Sequence, residues 1–192
     1  MLYVESYKNK LSLPDTAIII DTTSKSDDWS KELSPFVVRC GPLYGDYFAK
    51  NVENGWQFSK VYKEYDNNGE PSPAYFEWAQ KGWKSSYAYR YPMGKGVVPL
   101  YSWWNGEKLD YIAARKKIYV PLYARGVMAT KAFKKLLYIY RHTKKDIYLI
   151  DFDGYNHIKM GKSLTEVIND PKMKMGHAFV IYSLLEKSKI EK

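Results

Sequence analysis

The chain has 192 residues, a formal net charge of +9 and a pI of about 9.3. That length fits one domain able to bury its own core, and a lone cysteine, Cys40, excludes an intramolecular disulfide framework and a cysteine-based zinc site. No apolar run approaches the roughly 20 residues of a membrane span, and the N-terminus lacks the basic start and apolar stretch of a secretory signal. The expected setting is therefore a reducing cytoplasm without membrane attachment. The positive balance favours polyanions such as nucleic acid or pyrophosphate-bearing ligands. Some of the 19 tyrosines and 6 tryptophans must be core, but rings in such number also suit stacking on bases.

In chain order, residues 17–20 (Ala-Ile-Ile-Ile) read as a buried strand ending in a polar turn. Residues 36–40 read as a second strand, broken by Gly41-Pro42, with residues 47–49 pairing back. A helix follows from Asn51 as N-cap, through residues 51–62. Residues 66–71 are a loop. A second helix starts with Ser72 as cap and Pro73 in the first position and stops near Gly82. Residues 101–106 form an aromatic hairpin tip. A long helix over residues 109–125 is expected to kink or split at Pro121. Residues 130–140 form another helix, residues 146–153 a strand, residues 164–168 a short helix and residues 175–186 the last one. The stretch from Lys187 reads as a charged, frayed tail. The sum is a single α+β domain over 1–192, core about 17–186, mainly helical with a few short strands. The order is not the βαβ alternation of a doubly wound sheet.

Within the helix begun at Asn51, Glu53, Gln57 and Lys60 fall at i, i+4 and i+7 on one face, beside Trp56. A carboxylate, an amide and an ammonium in a row next to a large aromatic suit a pocket wall better than an interchangeable solvated face. Gly94-Lys95-Gly96 is not a Walker motif, but a lysine in a glycine turn can hold phosphate. Strand alternation puts Asp151 and Asp153 on the same side, where a carboxylate pair assists acid–base work or caps a turn. No metal-ligand spacing and no nucleophile elbow is present. His177, in a near-apolar helix, reads as a core or wall residue rather than a base.

These residues carry a resemblance. Leu33-Ser34-Pro35-Phe36, then Gly41 and Gly45, then Glu53-x-x-x-Gln57-x-x-Lys60 resemble the "LSNF", glycine hairpin and "E-x-x-x-Q-x-x-K" of the NADAR (YbiA-like) superfamily. Trp104 precedes the long helix, Asp151-x-Asp153-Gly154 stands where the acidic element belongs, and Gly176 opens the final helix. Pro35 replaces the family asparagine, and no Trp-Gly follows the aspartate. The wording Tyr91-Pro92-Met93-Gly94-Lys95-Gly96 and Met175-Gly176-His177-Ala178-Phe179 looks like the phage-encoded branch.

The resemblance implies an N-glycosidase that removes ADP-ribose attached to guanine in phage DNA by a host defence toxin. ADP-ribosylated DNA is then the partner, with no cofactor, no metal and no obligate protein partner. On this reading Glu53 is catalytic, assisted by Asp153. Burial would raise the Glu53 pKa and Lys60 would lower it, so the sequence leaves the net sign open. Gln57, Lys60 and Trp56 hold ribose or the leaving base, Lys95 and Arg115 meet the pyrophosphate, Trp83 or Trp104 stacks on a base, and Asp151 adds a polar contact. Two alternatives stay open: a non-catalytic basic nucleic-acid-binding or inhibitor protein of phage, and a small-molecule ribosylamine glycosidase.

Overall fold

Leu2 and Val4 alternate with half-exposed Tyr3 and are both buried, and they form β1 (Leu2–Ser6), a strand that the sequence pattern does not predict. In the computed structural model, which describes residues 1–190, the chain falls into two compact units: Met1–Ser34 with Val127–Lys192, and Pro35–Gly126. β2 (Ile18–Asp21) follows in the first unit, one residue later than the expected strand. Asp28 then accepts the Ser30 N–H and caps a 3-10 turn over Trp29–Leu33.

In the second unit β3 (Arg39–Pro42) and β4 (Phe48–Asn51) are antiparallel. The expected strand at residues 36–40 starts only at Arg39, because Pro35 and Val38 use their carbonyls otherwise. They accept the N–H groups of Glu53 and Val52, both at 3.0 Å. Those are the first donors of α1 (Val52–Gln57), which Asn51 caps by accepting the Asn54 N–H at 2.8 Å. α1 is shorter than its sequence pattern suggests. The Ser59 hydroxyl donates to the Trp56 carbonyl, and the Ser59 carbonyl accepts the Trp103 N–H. Lys60 therefore lies in β5 (Lys60–Val61), not at i+7 of a helix.

The loop expected at residues 66–71 is a tight hairpin of β6 (Asp66–Asn67) and β7 (Glu70–Pro71). Ser72 caps α2 (Pro73–Lys84), which passes Gly82 by two residues. Gly82 serves packing instead: a Cβ there would lie inside the Phe58 ring. β8 (Tyr101–Trp104) and β9 (Glu107–Leu109) turn on Asn105 and Gly106, both at positive φ as a type I′ hairpin needs. They complete a sheet in the order β5-β8-β9. Asp110 caps α3 (Tyr111–Ala114), a π turn spans Arg115–Tyr119, and α4 (Val120–Met128) carries on. The disruption expected at Pro121 thus takes the form of a wider turn ahead of it. Val120 donates its N–H to the Arg115 carbonyl five residues back.

The first unit resumes with α5 (Lys131–His142), capped by Thr130, and β10 (Ile147–Asp151), buried throughout. β10 is central in a parallel three-stranded sheet ordered β1-β10-β2. α6 (Leu164–Asn169) starts from a capping box of Ser163 and Glu166. α7 (His177–Ile190) packs on β1 and β10, burying Phe179, Ile181 and Leu185. The expected frayed tail is helical through Ile190, and its last residues, Glu191 and Lys192, lie outside the described residues. The architecture is α+β, mainly helical, with short strands in small sheets. Among the described residues no helix is long and apolar enough to cross a membrane.

Candidate functional site

Every residue of α1 is buried, including Glu53 at 6% and Gln57 at 9% exposure. Burying a carboxylate costs several kcal/mol unless donors meet it, so its surroundings decide how it is kept. Gln57, one turn on, donates its Nε2–H to Glu53 Oε1 at 2.9 Å. Lys60, from β5, donates its ammonium to Gln57 Oε1 at 2.7 Å and lies 4.7 Å from the centre of the Trp56 ring. The three residues expected on one stripe do form one chain of polar groups. Lys60 joins it by the return of the strand rather than by helical spacing. The amide in the middle accepts from a cation and donates to an anion, which fixes its orientation and that of the carboxylate.

Close packing holds this helix. A Cβ at Gly55 would come within 3.0 Å of Cys40 Sγ and 3.2 Å of Leu122 Cδ1, which explains a glycine inside a helix. A Cβ at Gly126 would meet the Arg39 carbonyl at 2.6 Å, so α4 runs hard against β3. The π turn packs on α1, with Tyr119 tilted against Trp56 at 5.4 Å. Arg115 sits in that turn and is buried, its guanidinium 4.6 Å from the Tyr111 ring. It is not the surface arginine that a solvated helix face would show.

Of the proposed stacking residues, Trp83 is core, edge-on to Tyr44 and tilted against Tyr47. Its indole N–H is buried without a hydrogen-bond partner. It borders a cleft of about 170 Å³ shared with Asp46, Tyr47, Phe48, Gln80 and Lys84. Trp104 is half-buried and meets Tyr44 edge-on at 4.8 Å. Lys95 is exposed in a turn between Gly94 and Gly96, both at positive φ.

Asp151 and Asp153 belong to the other unit. Asp153 stands in the turn after β10, so strand alternation does not govern it, and its Oδ1 is 3.8 Å from the Lys174 ammonium. Asp151 is buried and fully engaged. It pairs with His177 Nδ1 at 2.9 Å and accepts the N–H groups of Ala178 and Asp153. Burial pushes its carboxyl up, but the His177 charge and these donors outweigh it and hold the carboxyl below its ordinary value. Thr22 donates its hydroxyl to the Ile150 carbonyl at 2.8 Å, and His177 Nε2 lies 2.8 Å from both Thr22 oxygens. Both ring nitrogens of His177 thus face oxygen, Nδ1 toward Asp151 and Nε2 toward Thr22. Gly176 leaves the room: a Cβ there would run into the Asp151 carboxylate.

A family model described as "Family of unknown function (DUF6939)" matches residues 4–181. The chain belongs to that family. No curated protein and no solved structure matches the chain. The span that defines this DUF6939 member covers every candidate residue from Glu53 to Asp153.

Two groups next to the site carry little or no sequence signal. Asn54, fully buried, donates to the carbonyls of Ser85 and Tyr87 and accepts the Tyr89 N–H at 2.9 Å. An asparagine in a helix interior, where it is disfavoured, is the available signal. Tyr119 shows in the sequence only as a residue of the long helix; its contact with Trp56 is set by the fold. Chemically, α1 offers a fixed carboxylate beside an aromatic ring and a relayed cation. Among the described residues no three His, Cys, Asp or Glu side chains gather as a metal site would need.

Proposed function

We propose that this protein is an N-glycosidase that hydrolyses the ribosyl C1–N bond of ADP-ribosylated guanine in DNA, reversing the mark a host defence toxin leaves on phage DNA. The Glu53–Gln57–Lys60 chain is the observation that supports this reading most. Buried polar groups cost stability, so a carboxylate, an amide and a lysine in one line fit a chemical task better than a structural one.

In the proposed reaction the C1–N bond breaks as positive charge builds on the ribose, in an oxocarbenium-like transition state. The Glu53 carboxylate stabilises that charge and takes a proton from the attacking water. The water oxygen bonds to C1, and the base leaves with its electron pair and takes up a proton. Gln57 holds the carboxylate in one orientation, and Lys60 fixes Gln57. Trp56 supplies a flat wall for the sugar or the departing base. Lys95 stays the exposed candidate for the pyrophosphate, while Arg115, buried on the turn packed against α1, serves to position that helix.

The test is release of ADP-ribose from guanine-modified DNA, followed by mass spectrometry, with wild type and Glu53→Gln. Removing a positioned base costs about 10²–10⁴-fold in rate, so the variant should bind and fold but hardly turn over. Equal release by both proteins would end the Glu53 assignment. The second reading, a non-catalytic nucleic-acid binder, is favoured by the basic, tyrosine-bearing segment at residues 81–100. It predicts no release by either protein with binding intact. Release from ribosylamine metabolites and not from DNA would point to the small-molecule branch.

A further inference from the structure

Residues 81–100 carry Lys81, Lys84, Arg90 and Lys95 and not one Asp or Glu, in a chain with 21 acidic residues. After α2 ends at Lys84, residues 85–100 form neither helix nor strand. A stretch of that kind normally hides its apolar side chains or sheds them. This one displays them: Tyr87 is 68% exposed, Val98 79%, and Tyr89, Tyr91 and Leu100 are exposed as well. The rings are arranged rather than scattered. Tyr87 and Tyr89 meet edge-on at 4.8 Å, and the Arg90 guanidinium lies 5.4 Å from the Tyr91 ring.

The strap is also tied down. At its start the Asn54 amide holds the backbone of Ser85, Tyr87 and Tyr89. At its end Leu100 donates its N–H to the Val61 carbonyl in β5. Between them, turn hydrogen bonds from Gly94 N–H to the Tyr91 carbonyl and from Val97 N–H to the Gly94 carbonyl, with the fixed φ of Pro92 and Pro99, limit its wandering. Exposed rings on a fixed backbone lose little freedom on binding. Their anchor residue adjoins Glu53 in α1.

We infer that residues 85–100 bind single-stranded DNA, the tyrosines stacking on unpaired bases while Arg90 and Lys95 meet the backbone phosphates. Interleaved rings and cations without acidic groups match what a single strand presents, flat bases and a line of negative charge. A duplex hides its base faces and would use only the cations. The cleft bordered by Trp83 shares Lys84 with the upstream end of the strap. The inference rests on the glycosidase reading only in naming DNA as the strand.

The test measures anisotropy of a labelled single-stranded oligothymidylate, unmodified, so no turnover is involved. Tyr87→Ser with Tyr91→Ser should weaken binding on the order of tenfold per ring, the scale of stacking on one base. The thermal transition should stay in place, because both rings are exposed. Lys95→Gln should reduce the slope of log affinity against log salt by about 0.7. No loss in the tyrosine variant, or equal affinity for duplex, would each overturn the inference. None of these outcomes touches the Glu53→Gln turnover test, so the two proposals fail separately.

Discussion

Replacing Asp151 by Asn tests whether this aspartate is a structural ion-pair partner or a substrate ligand. The pair with His177 is buried on both sides. Asn keeps the shape but removes the charge, and its amide N–H₂ would face the N–H groups that now donate to the carboxylate. Breaking one side of a buried pair costs about 3–5 kcal/mol, a large part of an ordinary stability of about 5–15 kcal/mol. For a chain of this length that is a fall in Tm on the order of 10 °C. The pH dependence has a definite sign. The folded carboxyl lies below its ordinary value, so its contribution is complete above the unfolded pKa of about 3.9. It is lost as pH falls through the lower, folded value. Wild type and Asp151→Asn should therefore differ most at neutral pH and converge in acid. Urea denaturation across pH measures both. A loss under about 1 kcal/mol, or curves that stay parallel into acid, would refute a charged structural pair.

Gly82→Ala should destabilise the protein by about 1–3 kcal/mol, the usual cost of overpacking, because its Cβ would enter the Phe58 ring; a urea midpoint equal to wild type would contradict the packing. Cys40 should resist alkylation. Burial pushes its thiol up to about 11 against the opposing pull of Arg125, so iodoacetamide at about pH 8 finds little thiolate. Labelling should become fast only in denaturant, which mass spectrometry reads directly.

Local chemistry is legible in the sequence. Asn51 and Ser72 each accept the expected N–H three residues on, because a cap needs only its own turn. Contacts set by distant chain are not legible. Lys60 has helical spacing from Gln57, yet pairing of β5 with β8 pulls it off the helix and still leaves it on the same amide. Asp151 has the look of a ligand because periodicity cannot see that Gly176 and His177 return to its carboxylate. β1 escapes a pattern search because its few alternating residues gain their meaning only from β10.

The π turn before Pro121 holds one residue more than an α-helical turn would, as a single-residue insertion into a helix does. Each residue of an α-helix advances about 100°, so the surplus rotates the downstream half of the helix against the upstream half. Arg115, Ile118 and Tyr119 on the turn and Leu122 and Tyr123 beyond it are all buried, at the i, i+3, i+4, i+7 and i+8 spacing of one helix face, so the buried face runs on through the wider turn. Deleting exposed Lys116 would remove the surplus and leave composition nearly unchanged. It would also rotate Arg115 and the residues before it relative to Tyr119 and the residues after it. Here the length of the chain, not the identity of any side chain, sets which groups the helix presents to α1.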